Sequence, residues 1–276
     1  MNAPRVSIGI IGCGNMGSAL VEYLKKKLSS ADIFVFDKDK DKSNSLVKGF
    51  RVKAAESVLS LASASDVIII AVKPQDIDVL AGEMRGVSGK LVISIAAGVA
   101  VSRLESSFGG SVAIVRAMPN LNALIGASVT ALSYNAVVSK RQLELAEEIF
   151  RSVGNVVFVD EKYLNSVTAI SGSGPAFVAY LISDFDGKLL EEALAQEAAA
   201  FGMDAVTARA LAQGTVSGTR RILSVNFDAD MLIKRVCSKG GTTEAGMRVF
   251  LEKGKTLEAL HLAVQAAKKR ADELVG

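Results

Sequence analysis

The chain has 276 residues, half of them hydrophobic, 22% charged, with a formal net charge of +3. So small a charge, with no basic tract, gives no electrostatic case for nucleic acid. Two distant cysteines, Cys13 and Cys237, and a single histidine, His261, argue against a zinc or iron–sulfur site and against a disulfide-stapled fold. The longest apolar stretch, near residues 91–101, falls short of the ~20 residues of a membrane span, and the first residues carry no cleavable signal pattern. A soluble, cytoplasmic protein is expected.

In chain order, RVSIGII (5–11) is β-rich, and NMGSALVEYLKKKL follows with Met16, Leu20, Leu24 and Leu28 at helical spacing. DIFVFD (32–37), DVIIIAV (66–72), KLVISIA (90–96) and SVAIVRAM (111–118) read as further strands, with the helix-like PQDIDVLAGEM between the second and third of these runs. Fully apolar strands separated by helices predict a doubly wound, mostly parallel α/β sheet. ASVTALS (127–133) and NVVFVD (155–160), bracketing a helical segment, complete its edge. Beyond residue 160 strand signals stop. Five or six helices are expected, broken at 171–175, at Gly202, at 226–228 and at 239–241. The expected division is a dinucleotide-binding domain over 1–160 and a helical domain over 161–276.

GCGNMG places Gly12, Gly14 and Gly17 as G-x-G-x-x-G between the first strand and the first helix, a Rossmann-type fingerprint. Gly12 permits the tight turn, Gly14 the approach of a pyrophosphate, and Gly17 close helix–strand packing. The amides of the helix start, at Asn15 and Met16, then face the phosphates. Asp37 closes the second strand, where a carboxylate binds ribose hydroxyls. Lys38 and Lys40 follow and are able to hold a 2′-phosphate, so NADH and NADPH both stay open. Three segments end later strands: AVKPQ with Val72, Lys73 and Pro74; SIAAG with Ala96, Ala97 and Gly98; and RAMPN with Asn120. The small residues leave room for a nicotinamide. Asn120 is a candidate for its carboxamide or for the substrate, and Lys73 offers charge or merely caps a turn. No nucleophile–base set exists, which favours hydride transfer, chemistry that a cofactor performs.

IGCGNMG, AVKPQ, ISIAAG, VRAMPN, TAISGSGPAF and SKGGTTEAGM occur in this order, and together they resemble the pyrroline-5-carboxylate reductase family over nearly the whole chain. The resemblance implies reduction of L-1-pyrroline-5-carboxylate to L-proline with NADPH or NADH, the last step of proline synthesis. It implies a helical dimerisation domain and homodimers or larger homo-oligomers. It places substrate binding at Ser238, Gly241, Thr242 and Thr243. Ser171 and Ser173 line the same cavity or cap the helix starting near Pro175. Asn120, Lys73, Ser171 and Ser173 are the possible contributors to catalysis. A β-hydroxyacid or 6-phosphogluconate-type dehydrogenase shares the layout, but the lysine expected near its first helix is missing from LNSVTAISGSGPAF; a silent NAD(P)-binding regulator is the other alternative. Three departures from the family pattern stand out. Lys239 replaces a proline in SKGGTT, Leu121 and Asn122 change the MPN loop, and the 175–202 interval is about two helical turns longer, extended by an added helix length or a bulge around SDFDGKLLEE.

Overall fold

The computed structural model describes residues 6–84, 88–225 and 227–274. The elements run β1 (Ser7–Ile11), α1 (Asn15–Lys27), β2 (Asp32–Phe36), α2 (Lys40–Phe50), β3 (Lys53–Ala54), α3 (Val58–Ala64), β4 (Val67–Ile70), α4 (Ile77–Glu83), β5 (Leu91–Ser94), α5 (Val101–Phe108), β6 (Ala113–Met118), β7 (Ser128–Tyr134), α6 (Lys140–Arg151) and β8 (Gly154–Phe158). Helices follow: α7 (Leu164–Val167), α8 (Gly174–Leu181), α9 (Gly187–Ala200), α10 (Ala205–Leu223), α11 (Ala229–Val236), α12 (Thr242–Lys253) and α13 (Leu257–Glu273).

The strands are ordered β3-β2-β1-β4-β5-β6-β7-β8, with parallel pairing from β3 through β6 and between β7 and β8. Chain order reverses direction at β1 and β4. That is the switch point where ligands settle beyond the carboxyl ends of a doubly wound sheet. β4 is buried along its whole length, as a strand covered on both faces must be. β3 was not among the expected strands: it has two residues, both exposed, and so carries no apolar signal.

The chain forms two compact units, Met1–Ala117 with Ser133–Val153, and Met118–Leu132 with Gly154–Gly276. Residues 118–132 and 154–160 thus cluster with the helices, because β7 and β8 pack under them: Val129 and Ala131 belong to the same core as Phe177, Leu211 and Phe250. In the first unit, Ile11, Leu61, Ile68, Ile70, Val92 and Ile114 form a core on one face of the strands.

The expected break at 171–175 is not a break. α7 passes into α8 through a π-helical segment, Thr168–Gly172, in which the Ser173 N–H reaches back five residues to the Thr168 carbonyl at 2.8 Å. Pro175 explains it: it sits in the first turn of α8 and has no N–H to continue an i→i−4 ladder. Gly202, in the left-handed region at φ +90°, does end its helix as expected. Asp228 caps α11 through the Met231 amide, while Asn226 of that expected break lies outside the described residues. Around SDFDGKLLEE, α8 stops at Leu181, a turn follows, and Asp186 caps the next helix, α9. No helix among the described residues is long and apolar enough to cross a membrane.

Candidate functional site

The first unit carries a cleft of about 420 Å³ at the carboxyl ends of β1, β2 and β4, lined in part by Gly12, Gly14, Asp37, Val72 and Lys73. The three loop glycines differ in what they permit. Gly12 has φ +102°, and a Cβ there would stand 2.5 Å from the Ala71 carbonyl oxygen. A Cβ on Gly17 would meet the Gly12 carbonyl oxygen at 1.9 Å, so only glycine lets α1 start against β1. Gly14 is the opposite case. Nothing lies within 4 Å of its absent Cβ, so the loop faces open space there. α1 has no side-chain cap, and its first amides keep their donor capacity. An uncapped helix start beside a bare backbone fits a dinucleotide pyrophosphate.

Asp37 is tied to this loop. Its Oδ2 accepts the Cys13 N–H at 2.7 Å and its Oδ1 accepts the Asp39 N–H at 2.9 Å. Burial first, then the Asp37 charge, pushes the Cys13 thiol up to about 12, so it is a neutral spacer and no nucleophile. The second basic neighbour of the cleft is Lys42 and not Lys40. Lys40 opens α2, and the helical step carries Lys42 round to the cleft wall. Lys38 lies 3.9 Å from Asp76, a wall residue that the strand pattern did not single out. Lys73 lines the cleft at the start of a single 3₁₀ turn over Pro74–Asp76. Asn15, Met16, Pro74, Ala96, Ala97 and Gly98 lie outside the cleft wall, and Gly98 takes a left-handed turn at φ +74°.

The second unit gathers a separate, buried polar cluster. Asn120 follows β6, and its N–H donates to Ser128 Oγ at 3.1 Å. Its Nδ2 donates to Ser171 Oγ at 3.3 Å, and Ser171 in turn donates to the Val129 carbonyl at 3.4 Å. Ser171 Oγ thus accepts from the Asn120 NH₂ group and donates to the Val129 carbonyl. Asn120 Oδ1 is left buried without a hydrogen-bond partner among the described residues. Ser173, fully buried, joins Thr242 Oγ1 and Thr243 Oγ1, each at 3.0 Å. Ser173 does not cap α8: its backbone is already helical, and no side-chain cap bond forms. The π-helical segment is what brings Ser171 and Ser173 into this cluster.

α12 begins at Gly241 without a side-chain cap, leaving the amides of Thr242 and Thr243 as donors at a positive helix end. The Gly241 amide itself donates to the Ser238 carbonyl at 3.0 Å, and a Cβ on Gly241 would strike Ser238 Oγ at 2.3 Å. Ser238 and Lys239 are exposed. His261 and Asn122 stand apart. His261 is half exposed and pairs with Glu197, while Asn122 reaches the Thr215 carbonyl and Thr219 Oγ1, both at 3.4 Å, tying the altered loop to α10.

Two parts follow from this geometry: in the first unit, a cleft with a glycine loop and a carboxylate in its wall, and in the second, an uncapped helix start and a buried acceptor with no partner among the described residues. Comparison with known proteins identifies the family. Residues 161–274 match the family described as pyrroline-5-carboxylate reductase dimerisation, and residues 7–98 match that described as NADP oxidoreductase, coenzyme F420-dependent. A pyrroline-5-carboxylate reductase of Synechocystis is 40% identical, over 98% of each chain. This chain belongs to the pyrroline-5-carboxylate reductase family. The solved pyrroline-5-carboxylate reductase of Coxiella burnetii superposes with a TM-score of 0.68 at 34% identity, over 99% of both chains. That of Plasmodium falciparum, with NADP bound, does so at 0.65 and 27% identity, over 98% of both.

Proposed function

We propose that this chain reduces L-1-pyrroline-5-carboxylate to L-proline, the last step of proline synthesis, with NADPH or NADH as the hydride source. The unit of residues 1–117 and 133–153 serves as the cofactor-binding part, and the unit of residues 118–132 and 154–276 as the substrate-binding and dimerisation part, of a cytoplasmic homodimer or larger homo-oligomer. The observation that carries the reading is the junction of Ser173 with Thr242 and Thr243 at the uncapped start of α12.

The substrate is a cyclic imine bearing a carboxylate. Once protonated, its C=N carbon is already electrophilic, so the protein has little acid–base work to do, in keeping with the absence of a nucleophile–base set. When bound, the cofactor supplies the hydride. Gly12, Gly14 and the start of α1 with Asn15, Met16 and Gly17 hold its pyrophosphate. Asp37 takes its adenosine ribose, with Val72, Lys73, Pro74 and the 96–98 turn along its course. The amides and hydroxyls of Thr242 and Thr243 bind the substrate carboxylate, with Ser238 and Gly241 shaping the turn before them. Asn120 Oδ1 accepts the ring N–H and keeps the proton on nitrogen while the adjacent carbon is reduced. Ser171 and Ser173 fix these donors and acceptors in place, which is where orientation lowers the barrier.

Purified protein mixed with pyrroline-5-carboxylate and either reduced cofactor should show loss of nicotinamide absorbance. No oxidation of either would overturn the reading, and the ratio of the two rates gives the cofactor preference that Asp37, Lys38 and Lys42 set.

A further inference from the structure

The turn before α12 is held by side chains from elsewhere. Ser238, Lys239, Gly240 and Gly241 form a β-turn closed by the Gly241 N–H on the Ser238 carbonyl, with Gly240 at φ +71° in its third position. A left-handed third residue is the mark of a type II turn, whose second position favours proline because its φ is preset. Lys239 holds that second position here, is exposed, and lends the turn no stiffness.

Both polar groups of Gly240 are instead clamped. Its N–H donates to Glu244 Oε2 at 2.7 Å. Its carbonyl accepts from Arg270 Nε at 2.9 Å, reaching across from α13, thirty residues away. Arg270 is anchored in turn to Glu273 at 3.0 Å, and Glu244 lies 3.5 Å from Arg248. Gripping one residue by its amide and its carbonyl fixes its φ and ψ. Those angles aim the amides of Thr242 and Thr243, two and three positions further on.

We propose that Arg270, with Glu244, is the positioning residue of the carboxylate anchor: it acts through Gly240 and does the work that a proline at position 239 would do. The inference rests on reading the start of α12 as the site of the substrate carboxylate. Without the clamp the turn samples other conformations, and a carboxylate must order it on binding. The loss therefore falls on substrate affinity, not on the cofactor.

The experiment compares the full-length wild type with Arg270→Gln, Arg270→Lys and the double variant Arg270→Gln/Lys239→Pro. Arg270→Gln should raise KM for pyrroline-5-carboxylate about tenfold, while kcat and the cofactor KM stay within about twofold. Arg270→Lys should recover part of the loss, and adding Lys239→Pro should bring KM back to within about threefold of wild type, because proline removes freedom from the unclamped turn. Hydrogen exchange at the amides of residues 240–243 should quicken about tenfold in Arg270→Gln and slow again in the double variant. Unchanged KM with unchanged exchange overturns the proposal. So does a fall in kcat and Tm, with both KM values moved alike, that Lys239→Pro fails to restore, since that marks general destabilisation. A wild type that oxidises neither cofactor would refute the enzymatic reading alone, and the exchange comparison would still decide whether Arg270 clamps the turn.

Discussion

The side-chain nitrogen of Asn120 lies 3.3 Å from Ser171 Oγ, and with the nitrogen on that side the Asn120 carbonyl oxygen faces away from the serine. In this arrangement Ser171 Oγ accepts from the Asn120 amide and donates to the Val129 carbonyl, 3.4 Å away. The fold therefore holds a buried, unsatisfied acceptor in readiness, a state that costs about 1–3 kcal/mol until a donor arrives. Asn120→Ala should lower kcat/KM for the imine by about 10–100-fold. Asn120→Asp keeps the acceptor and adds charge, which stabilises a protonated imine. The alkaline limb of its kcat–pH profile should move to higher pH. Full activity in Asn120→Ala, or an unmoved limb in an active Asn120→Asp, would remove Asn120 from the site.

Thr243 and Ser173 share one hydrogen bond and are both buried. Thr243→Ala should raise KM for the imino acid about tenfold, as expected when one hydrogen bond to a charged group is lost. Ser173→Ala should cost a similar amount, and the double variant less than the sum, because each change breaks the same contact. Strict additivity in a double-mutant cycle would mean that the two act separately.

Gly14 and Gly17 make opposite demands. Gly14→Ala adds a methyl group to open space, so the melting temperature should stay within about 2 °C while the cofactor KM rises about tenfold or more. Gly17→Ala drives a methyl group to 1.9 Å from the Gly12 carbonyl oxygen, and the start of α1 must shift. That change should destabilise the protein by about 2 kcal/mol or more. Calorimetry and cofactor titration on the pair separate the two roles. A Gly14→Ala that binds cofactor normally would place the pyrophosphate elsewhere.

Cys13 gives a pH signature. Its thiol is raised from 9.0 to about 12 in the fold, so the folded state resists its ionisation. A raised folded value contributes stability that is complete below the unfolded value and is lost as pH climbs through the folded one. Melting temperature should therefore decline between pH 9 and 12, and Cys13→Ala should show a smaller decline over that window. Equal slopes for the two proteins would show that the thiol does not contribute.

The alternation of apolar strands and helices, the glycine loop and the change to helix beyond residue 160 were all legible from residue order, because each depends on local periodicity or backbone freedom. β3 was not legible, since two exposed residues at a sheet edge carry no pattern. The alternative that Ser171 and Ser173 cap α8 drops out for a related reason. Caps are judged from a few neighbours, whereas the π-helical segment arises from Pro175 and from glycines that let the helix lie close to other parts of the unit. A Cβ on Gly172 would touch Met118 at 2.8 Å, and one on Gly174 would touch Thr215 at 2.7 Å. Lys42 takes the place expected for Lys40 because helix phase, not order along the chain, decides which lysine meets the cleft.

Residue order is enough to locate the candidate anion-binding groups, for those groups are backbone amides at helix starts and need only glycine and threonine in register. How they are held is a different matter. Asp37 meets Cys13 across 24 positions, Asn120 meets Ser171 across 51, and Ser173 meets Thr243 across 70. Pairings so distant cost chain entropy that only the packed core repays, so they come into being with the tertiary fold and cannot be read from the sequence alone.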